Sequence, residues 1–270
     1  MTITNLTKEF IETNLVVYLP VPKRGRKPKA ELWCYVKAII HKFKTGTQWS
    51  ELPVKQFFNI DISPNAVFKH FNKWSKIGAW KKLWTALLTK NKSKLALSSM
   101  QVDGSHTRVH NGGEKVAYQK RKKAKTSNAL FFTDSKGIPV AMSQIMKGNH
   151  HDSYKIEKNM REMFADLECS KIETNALFLN ADAGFDCKGF RQICKDYEVI
   201  PNVKHNPRGS KLSASEYIMD DKLYQERFVI ERTNAWLDGF KTLLVRYEKT
   251  VQNWKSFHYI AFALILIKNN

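Results

Sequence analysis

The chain has 270 residues and carries 45 Lys and Arg against 25 Asp and Glu, a formal charge of +20, which is far more than solubility requires and makes a polyanion the expected partner. Its four cysteines, Cys34, Cys169, Cys187 and Cys194, contain no Cys-x-x-Cys pair, so neither a zinc knuckle nor a disulfide framework is supported and a reducing cytoplasm fits. The longest apolar run, residues 257–267, is about half of the roughly 20 residues a membrane helix needs, and the N-terminus shows no signal-peptide pattern.

Residues 1–97 read as helical and hold 18 Lys and Arg against 5 Asp and Glu, a net +13, which leaves +7 for the rest. The more basic part is the expected DNA-gripping part. A basic loop, Pro22-Lys-Arg-Gly-Arg-Lys-Pro28, precedes a helical pattern from about Lys29 to Lys44 with Leu32, Trp33, Val36, Ile39, Ile40 and Phe43 at helical spacing. Gly46 stops it. Ser63-Pro64 is an N-cap followed by proline in the first turn, opening a helix to about Ile77 with Val67, Phe68, Phe71 and Trp74 on one stripe. Gly78 ends that helix, and a third follows with Trp80, Leu83, Trp84, Leu87 and Leu88. Short helices with tight turns on a basic background are similar to a helix-turn-helix, and equally to an ordinary bundle with solvated lysines. Trp33, Trp49, Trp74, Trp80 and Trp84 belong to the apolar stripes rather than to a base-stacking surface.

After Ser98 strands alternate with helices. Strands are expected at Ser99 to Val102, Ala129 to Thr133, Ile138 to Ile145, Asn175 to Asn180 and Glu198 to Val203, with a hairpin turn at Asp134-Ser-Lys-Gly137. Helices are expected near Tyr154 to Leu167, Cys187 to Asp196, Asp221 to Leu244 and Ser256 to Lys268. Three strands, a helix, a fourth strand, a helix, a fifth strand and a helix is the ribonuclease-H-like order. The expected architecture is therefore mixed α+β, with a helical domain over residues 1–97 and a ribonuclease-H-like domain over residues 98–270.

That order sets Asp103 on the first strand, Asp182 just past the fourth and Glu231 on a late helix. Each has an ordinary explanation alone: a strand-end Asp caps turns, and a helix Glu faces water or pairs with Arg. Together they make an oxygen-donor set for hard divalent ions. Glu226 and Glu231 are five residues apart, so at about 100° per residue they point roughly 140° apart and only one can serve a single site. Arg227, Glu231, Asn234 and Asp238 form one polar stripe, with Val229, Trp236, Phe240 and Leu243 on the apolar side. Asp186 reads as the N-cap of the helix beginning at Cys187.

The chain resembles DDE transposases of the bacterial insertion-sequence-five (IS-five) family over nearly its whole length. The resemblance rests on Arg26-Lys-Pro28, Thr45-Gly-Thr-Gln-Trp-Ser-Glu-Leu-Pro53 and Phe71-Asn-Lys-Trp74, then on Val102-Asp-Gly-Ser-His-Thr-Arg-Val-His110, Ala181-Asp-Ala-Gly-Phe-Asp186, Tyr224-Gln-Glu-Arg-Phe-Val-Ile-Glu-Arg232 and Leu244-Val-Arg-Tyr-Glu248. The family's Tyr-x-x-Arg-x-x-x-Glu signature falls on Tyr224, Arg227 and Glu231; a lysine usual seven residues after the glutamate is replaced by Asp238, with Lys241 one turn on. The resemblance implies binding of terminal inverted repeats, cleavage at element ends and insertion into a target, in a bacterial cytoplasm at the nucleoid, with a homo-oligomer synapsing two ends of double-stranded DNA.

Such chemistry uses two divalent ions, Mg2+ or Mn2+, held by Asp103, Asp182 and Glu231, with Asp103 the candidate to bridge them. Arg227 either holds the Glu231 carboxylate or contacts a phosphate. Residues expected to contact DNA are Arg24, Arg26, Lys27, Lys69, Lys73, Lys120, Arg121, Lys122, Lys123, Arg227 and Lys241. The run from Lys115 to Lys125 reads as a phosphate-gripping hairpin arm or as a solvated loop. His106, His110, His150 and His151 flank the strands, and a hard-ion site has no need of them as ligands. A nuclease that only hydrolyses, or a non-catalytic DNA-binding regulator, would share parts of this pattern.

Overall fold

A computed structural model of the chain describes residues 6–21, 27–206 and 219–269. Four helices come first: α1 (Lys8–Asn14), α2 (Leu32–Thr45), α3 (Pro64–Lys76) and α4 (Ala79–Asn91). Their ends follow local chemistry. The Ser63 hydroxyl accepts the Ala66 amide at the start of α3, and α2 stops where Gly46 turns left-handed at φ 74°. A side chain there would also press on Lys241, 3.1 Å from an added Cβ, so both the turn and the close approach require glycine.

The sheet opens with β1 (Ser99–Val109), β2 (Ala117–Gln119), β3 (Ala124–Asp134), β4 (Pro139–Met142) and β5 (Met146–Lys147). After α5 (Ile156–Cys169), β6 (Phe178–Ala181) follows; α6 (Lys188–Asp196) leads to β7 (Ile200–Val203), and β8 (Val245–Arg246) adds a short edge piece. β1 pairs antiparallel with β3 and parallel with β6, which pairs parallel with β7, and β4 lies outside β3. The order β4-β3-β1-β6-β7 is the ribonuclease-H-like sheet, and the fold is mixed α+β with a helical region ahead of it. The Asp134–Gly137 turn closes as expected, with the Gly137 amide on the Asp134 carbonyl.

Pleating gives β1 and β3 two distinct faces. On one, Phe132 packs against Phe164 of α5. On the other, Phe131 meets His258 and Phe262 of α10 (Val251–Asn269). Every residue of α10 from Phe257 to Leu266 is buried, because the helix is covered on both sides: by the sheet within and by α2–α4 without. Phe257 stacks on Phe71 at 4.4 Å and on Phe43 at 5.3 Å, and Trp84 meets Phe262 at 5.6 Å. One hydrophobic core runs through both parts of the chain. This explains the apolar run without a membrane: among the described residues no helix is long and apolar enough to cross one. Trp74, Trp80 and Trp84 are buried and Trp33 and Trp49 half-buried in that core.

Three expectations need correction. The late helix is not continuous: α7 (Asp221–Gln225), a 3-10 turn at Glu226–Phe228, α8 (Val229–Asp238) and α9 (Lys241–Leu244) succeed one another. Within α8 the buried face is Ile230, Thr233 and Leu237, with the Thr233 hydroxyl on the Gly137 carbonyl across the hairpin; of the expected stripe, Phe240 and Leu243 are buried while Val229 and Trp236 are half-buried. Asp186 does not cap α6. The N-cap is Cys187, and the fully buried Asp186 carboxylate instead accepts from Arg191 and from the Asn206 amide and pairs with His205.

Candidate active site

Asp103 and Asp182 stand at neighbouring strand positions, because β1 and β6 run parallel with Val102 beside Ala181. β6 ends there, so β1 has an open edge from Asp103 to Thr107, beyond which β8 pairs with it at Arg108 and Val109. Each carboxylate is turned by the next backbone amide, Gly104 N–H to Asp103 Oδ1 and Ala183 N–H to Asp182 Oδ1, both at 2.8 Å. Burial pushes the Asp103 carboxyl up to about 6, with the charges of Asp152 and Asp182 adding to it, while the Gly104 amide and Arg227 pull the other way. A half-buried carboxyl with Asp182 beside it and Asp152 across the strand is a site short of positive charge.

Arg227 supplies part of it. The guanidinium lies against the rings of Tyr224 and Phe228, at 5.4 and 4.7 Å, and its field reaches Asp103. No ion pair joins it to Glu231 among the described residues. Glu231 is exposed on the first turn of α8, and among the described residues it does not close with Asp103 and Asp182 into a three-carboxylate cluster. Glu226, five residues earlier, is tied to the Ser99 hydroxyl. Ser99 is four strand residues, about 13 Å, from Asp103, which removes Glu226 from the carboxylate pair.

Asp152 is a neighbour the sequence argument left aside. Gly104 is glycine because an added Cβ would overlap the Asp152 carboxylate. Asn128 donates to Asp152 at 2.7 Å and His106 Nε2 lies 3.7 Å away. Gly104, His106 and Asn128 share the face of the sheet opposite to the Asp103 side chain, so Asp152 acts on Asp103 across the strand. Burial lowers the His106 pKa, opposed by Asp152 and reinforced by Lys122 and Arg121. The other histidines sit in contacts of their own: His150 stacks on Tyr154 at 3.6 Å, His151 shares a hydrogen bond with Ser153, and His110 stacks on Tyr247.

A hard divalent ion fits the Asp103–Asp182 pair by its chemistry: oxygen donors, a carboxyl raised by burial and by negative neighbours, and the buried Gln101 Oε1, on the same face of β1, left without a partner. Among the described residues no three His, Cys, Asp or Glu side chains form a ready ligand shell. Mg2+ ordinarily binds through one or two carboxylates and keeps several waters.

The candidate DNA contacts divide into groups. Lys27, Lys69 and Lys73 line one groove together with Lys29 and His70. Lys120, Arg121 and Lys123 are exposed at the turn between β2 and β3, so the basic run does form a hairpin arm, while Lys122 reaches back to the His106 carbonyl at 2.7 Å. Lys241 is exposed at the start of α9, against Gly46 of the helical region. Arg24 and Arg26 lie outside the described residues.

Residues 102–267 match the family model described as "DDE superfamily endonuclease", and residues 11–84 match one described as "Putative transposase of IS4/5 family". No curated protein matches the chain. Among solved structures it is similar to a pre-cleavage Mos1 transpososome, with 12% identity over 93% of this chain and 82% of that one and a TM-score of 0.30. A Mos1 transposase catalytic domain with raltegravir and Mg shows 14% identity over 70% of this chain and 92% of that one, with a TM-score of 0.31. Superposition that loose leaves the assignment to the family model.

Proposed function

The chain belongs to the DDE superfamily endonuclease family, and from that premise we propose that it is an insertion-sequence transposase of the IS-five type that binds the terminal inverted repeats of its element, cleaves at the ends and joins them to target DNA. The observation that carries this reading is the pair Asp103–Asp182 at the ends of neighbouring parallel strands, with the Asp103 carboxyl raised by burial and by the Asp182 charge beside it.

Asp103 and Asp182 would hold Mg2+ or Mn2+, with Glu231 as the third carboxylate. Two such ions, when bound, lower the charge on the scissile phosphate and favour the departing 3′ oxygen. The protein supplies position. The Gly104 and Ala183 amides fix the rotation of the two carboxylates, and Arg227, held between Tyr224 and Phe228, stands beside Asp103 to orient a phosphate oxygen. Residues 1–97 carry end recognition, with Lys27, Lys69 and Lys73 on the backbone, as their shared groove supports. The Lys120–Lys123 turn and Lys241 grip DNA nearer the carboxylates. The remaining residues, 98–270, carry the chemistry, and two copies bring two ends together at the nucleoid.

A precleaved element end incubated with the full chain, plasmid and Mg2+ is the test. Covalently joined product is expected, because cleavage and joining are both in-line displacements by oxygen at phosphorus. Hydrolysis without joining, with Mn2+ as well, would return the reading to a nuclease.

A further inference from the structure

A groove of about 710 Å3 opens between β5, the first turns of α5 and the start of α10. Lys115, Lys147, Lys155 and Lys158 border it, against the two carboxylates Glu114 and Glu162. The excess of cations acts on the histidine among them: burial, then the charges of Lys147, His151, Lys155 and Lys115, lower the His150 pKa. A groove of this size and sign collects small anions.

Lys255 stands beside it on α10, one helical turn after Val251, which lines the groove. Its side-chain nitrogen donates to Gln144 Oε1 at 3.4 Å in a bond open to solvent, and Gln144 and Glu162 both line the groove. The charge on Lys255 is poorly housed. Burial lowers its pKa to about 8 and Lys81 adds to the effect, with Asp166 and Glu162 opposing it. Asp166 is engaged by Lys81 at 2.6 Å, whereas Glu162 keeps a buried oxygen without a hydrogen-bond partner. At pH 8 about half of the Lys255 amines are therefore neutral, against less than about 1% for an ordinary lysine. A nucleophile, a carboxylate able to take its proton and a basic groove that gathers anions thus meet at one place.

We propose that Lys255 is an acylation site, taking acyl groups from small acyl phosphates gathered in the groove. The donor has to be anionic to be drawn by the lysines and small to fit beside Lys255, and an acyl phosphate is both. The amine nitrogen forms the amide bond to the acyl carbon, and the carbon–oxygen bond to phosphate breaks. Phosphate leaves with that electron pair, stabilised by the groove lysines, and Glu162 accepts the proton of the amine. Neither Asp103 nor Asp182 takes part, so the site goes beyond the DNA chemistry.

The test exposes the full folded chain to acetyl phosphate and reads the initial acetylation rate at each lysine by peptide mass spectrometry, with the exposed Lys90 and Lys94 as references. Lys255 gains about a hundredfold in neutral amine at pH 8 and loses part of that through lower basicity, so it should react roughly tenfold faster than the references. Its rate should level off above about pH 8 while theirs still climbs. In urea the preference should vanish. Lys147→Ala combined with Lys155→Ala should slow Lys255 several-fold with acetyl phosphate and leave its rate unchanged with the neutral donor N-hydroxysuccinimide acetate. Glu162→Gln should slow it with both donors, in a protein that melts with wild type. Acetylation of Lys255 no faster than of Lys90 and Lys94 would overturn the proposal, as would a preference that survives in urea. A double variant as fast as wild type with acetyl phosphate would overturn the acyl phosphate as donor, and an unaffected Glu162→Gln would overturn Glu162 as the proton acceptor.

Discussion

The seam between α10 and the N-terminal helices and the open edge of β1 are built on opposite terms. At the seam, Phe43, Phe71 and Phe257 stack face to face and are all fully buried, and the buried Lys42 ammonium is paired with Glu248 at 3.4 Å beneath Trp49. At the edge, carboxylates face one another, and Gln101, Arg227 and Asn234 keep buried polar atoms without partners. The first region is held by apolar stacking without a ligand, with Ser75, Trp80 and Trp254 there also keeping buried polar atoms without partners. The second is strained until something cationic or polar arrives, which is how binding free energy can be held ready for the reaction rather than spent on folding.

Truncation in the seam should have the largest effect on stability. Phe257→Ala removes a ring that touches two others and should cost about 3–5 kcal/mol, read by denaturant unfolding, with DNA cleavage lost only in proportion to the unfolded fraction. A cost under about 1 kcal/mol would mean that the two parts of the chain do not share a core.

At the edge the same kind of measurement should change sign. The folded protein keeps the Asp103 proton up to about pH 6, whereas an unfolded aspartate releases it near 3.8, so the native state loses stability as pH rises through that window and the penalty is absent below it. Asp103→Asn should abolish cleavage and yet stabilise the metal-free protein by about 2–3 kcal/mol near pH 8, a gain that fades toward pH 4. Mg2+ should raise the melting temperature of wild type and not of the variant. A destabilised Asp103→Asn protein at pH 8 would erase the contrast between the regions.

The two glutamates sharpen the comparison within one helix system. Glu226→Gln weakens the bond to Ser99 and should cost about 1 kcal/mol while cleavage persists. Glu231→Gln should leave stability unchanged and stop cleavage. The reverse assignment, by melting and cleavage on the same preparations, would place the third ligand at Glu226.

The smallest effect on folding belongs to the hairpin arm. Replacing Lys120, Arg121 and Lys123 together by Ala should move stability by less than about 0.5 kcal/mol, yet lower the log–log salt slope of DNA binding by about one for each phosphate contact removed. An unchanged slope would make the arm a solvated loop.

Much of this was legible in the sequence because it is local. Ser63-Pro64 and Gly46 state their own chemistry, and the strand order sets Asp103 beside Asp182 before any contact is known. What stayed hidden depends on distant partners. The polar half of β1, from Gly104 to Arg108, does not read as strand, and is one because β3 extends back to Ala124 to pair with it. Residues 221–244 read as one helix because each segment is helical by itself; the first break comes where Glu226 reaches Ser99, and the second falls at Gly239 and Phe240. Asp152 was visible only as part of His150-His-Asp152, and nothing local says that Gly104 was left bare to admit it.

The position of α10 between the sheet and α2–α4 has a consequence for how the protein is made. A ribosome releases the N-terminal helices first, and Phe43, Phe71 and Trp84 then lack Phe257 and Phe262 until the last described helix emerges and docks. The basic region cannot set its shape early, and a product of premature termination lacks the spine that both layers lean on. A chain stopped at residue 250 should be protease-sensitive and should not compete with intact copies for DNA ends. On the proposed function, the capacity to hold DNA and the capacity to cut it arrive at the same moment of synthesis.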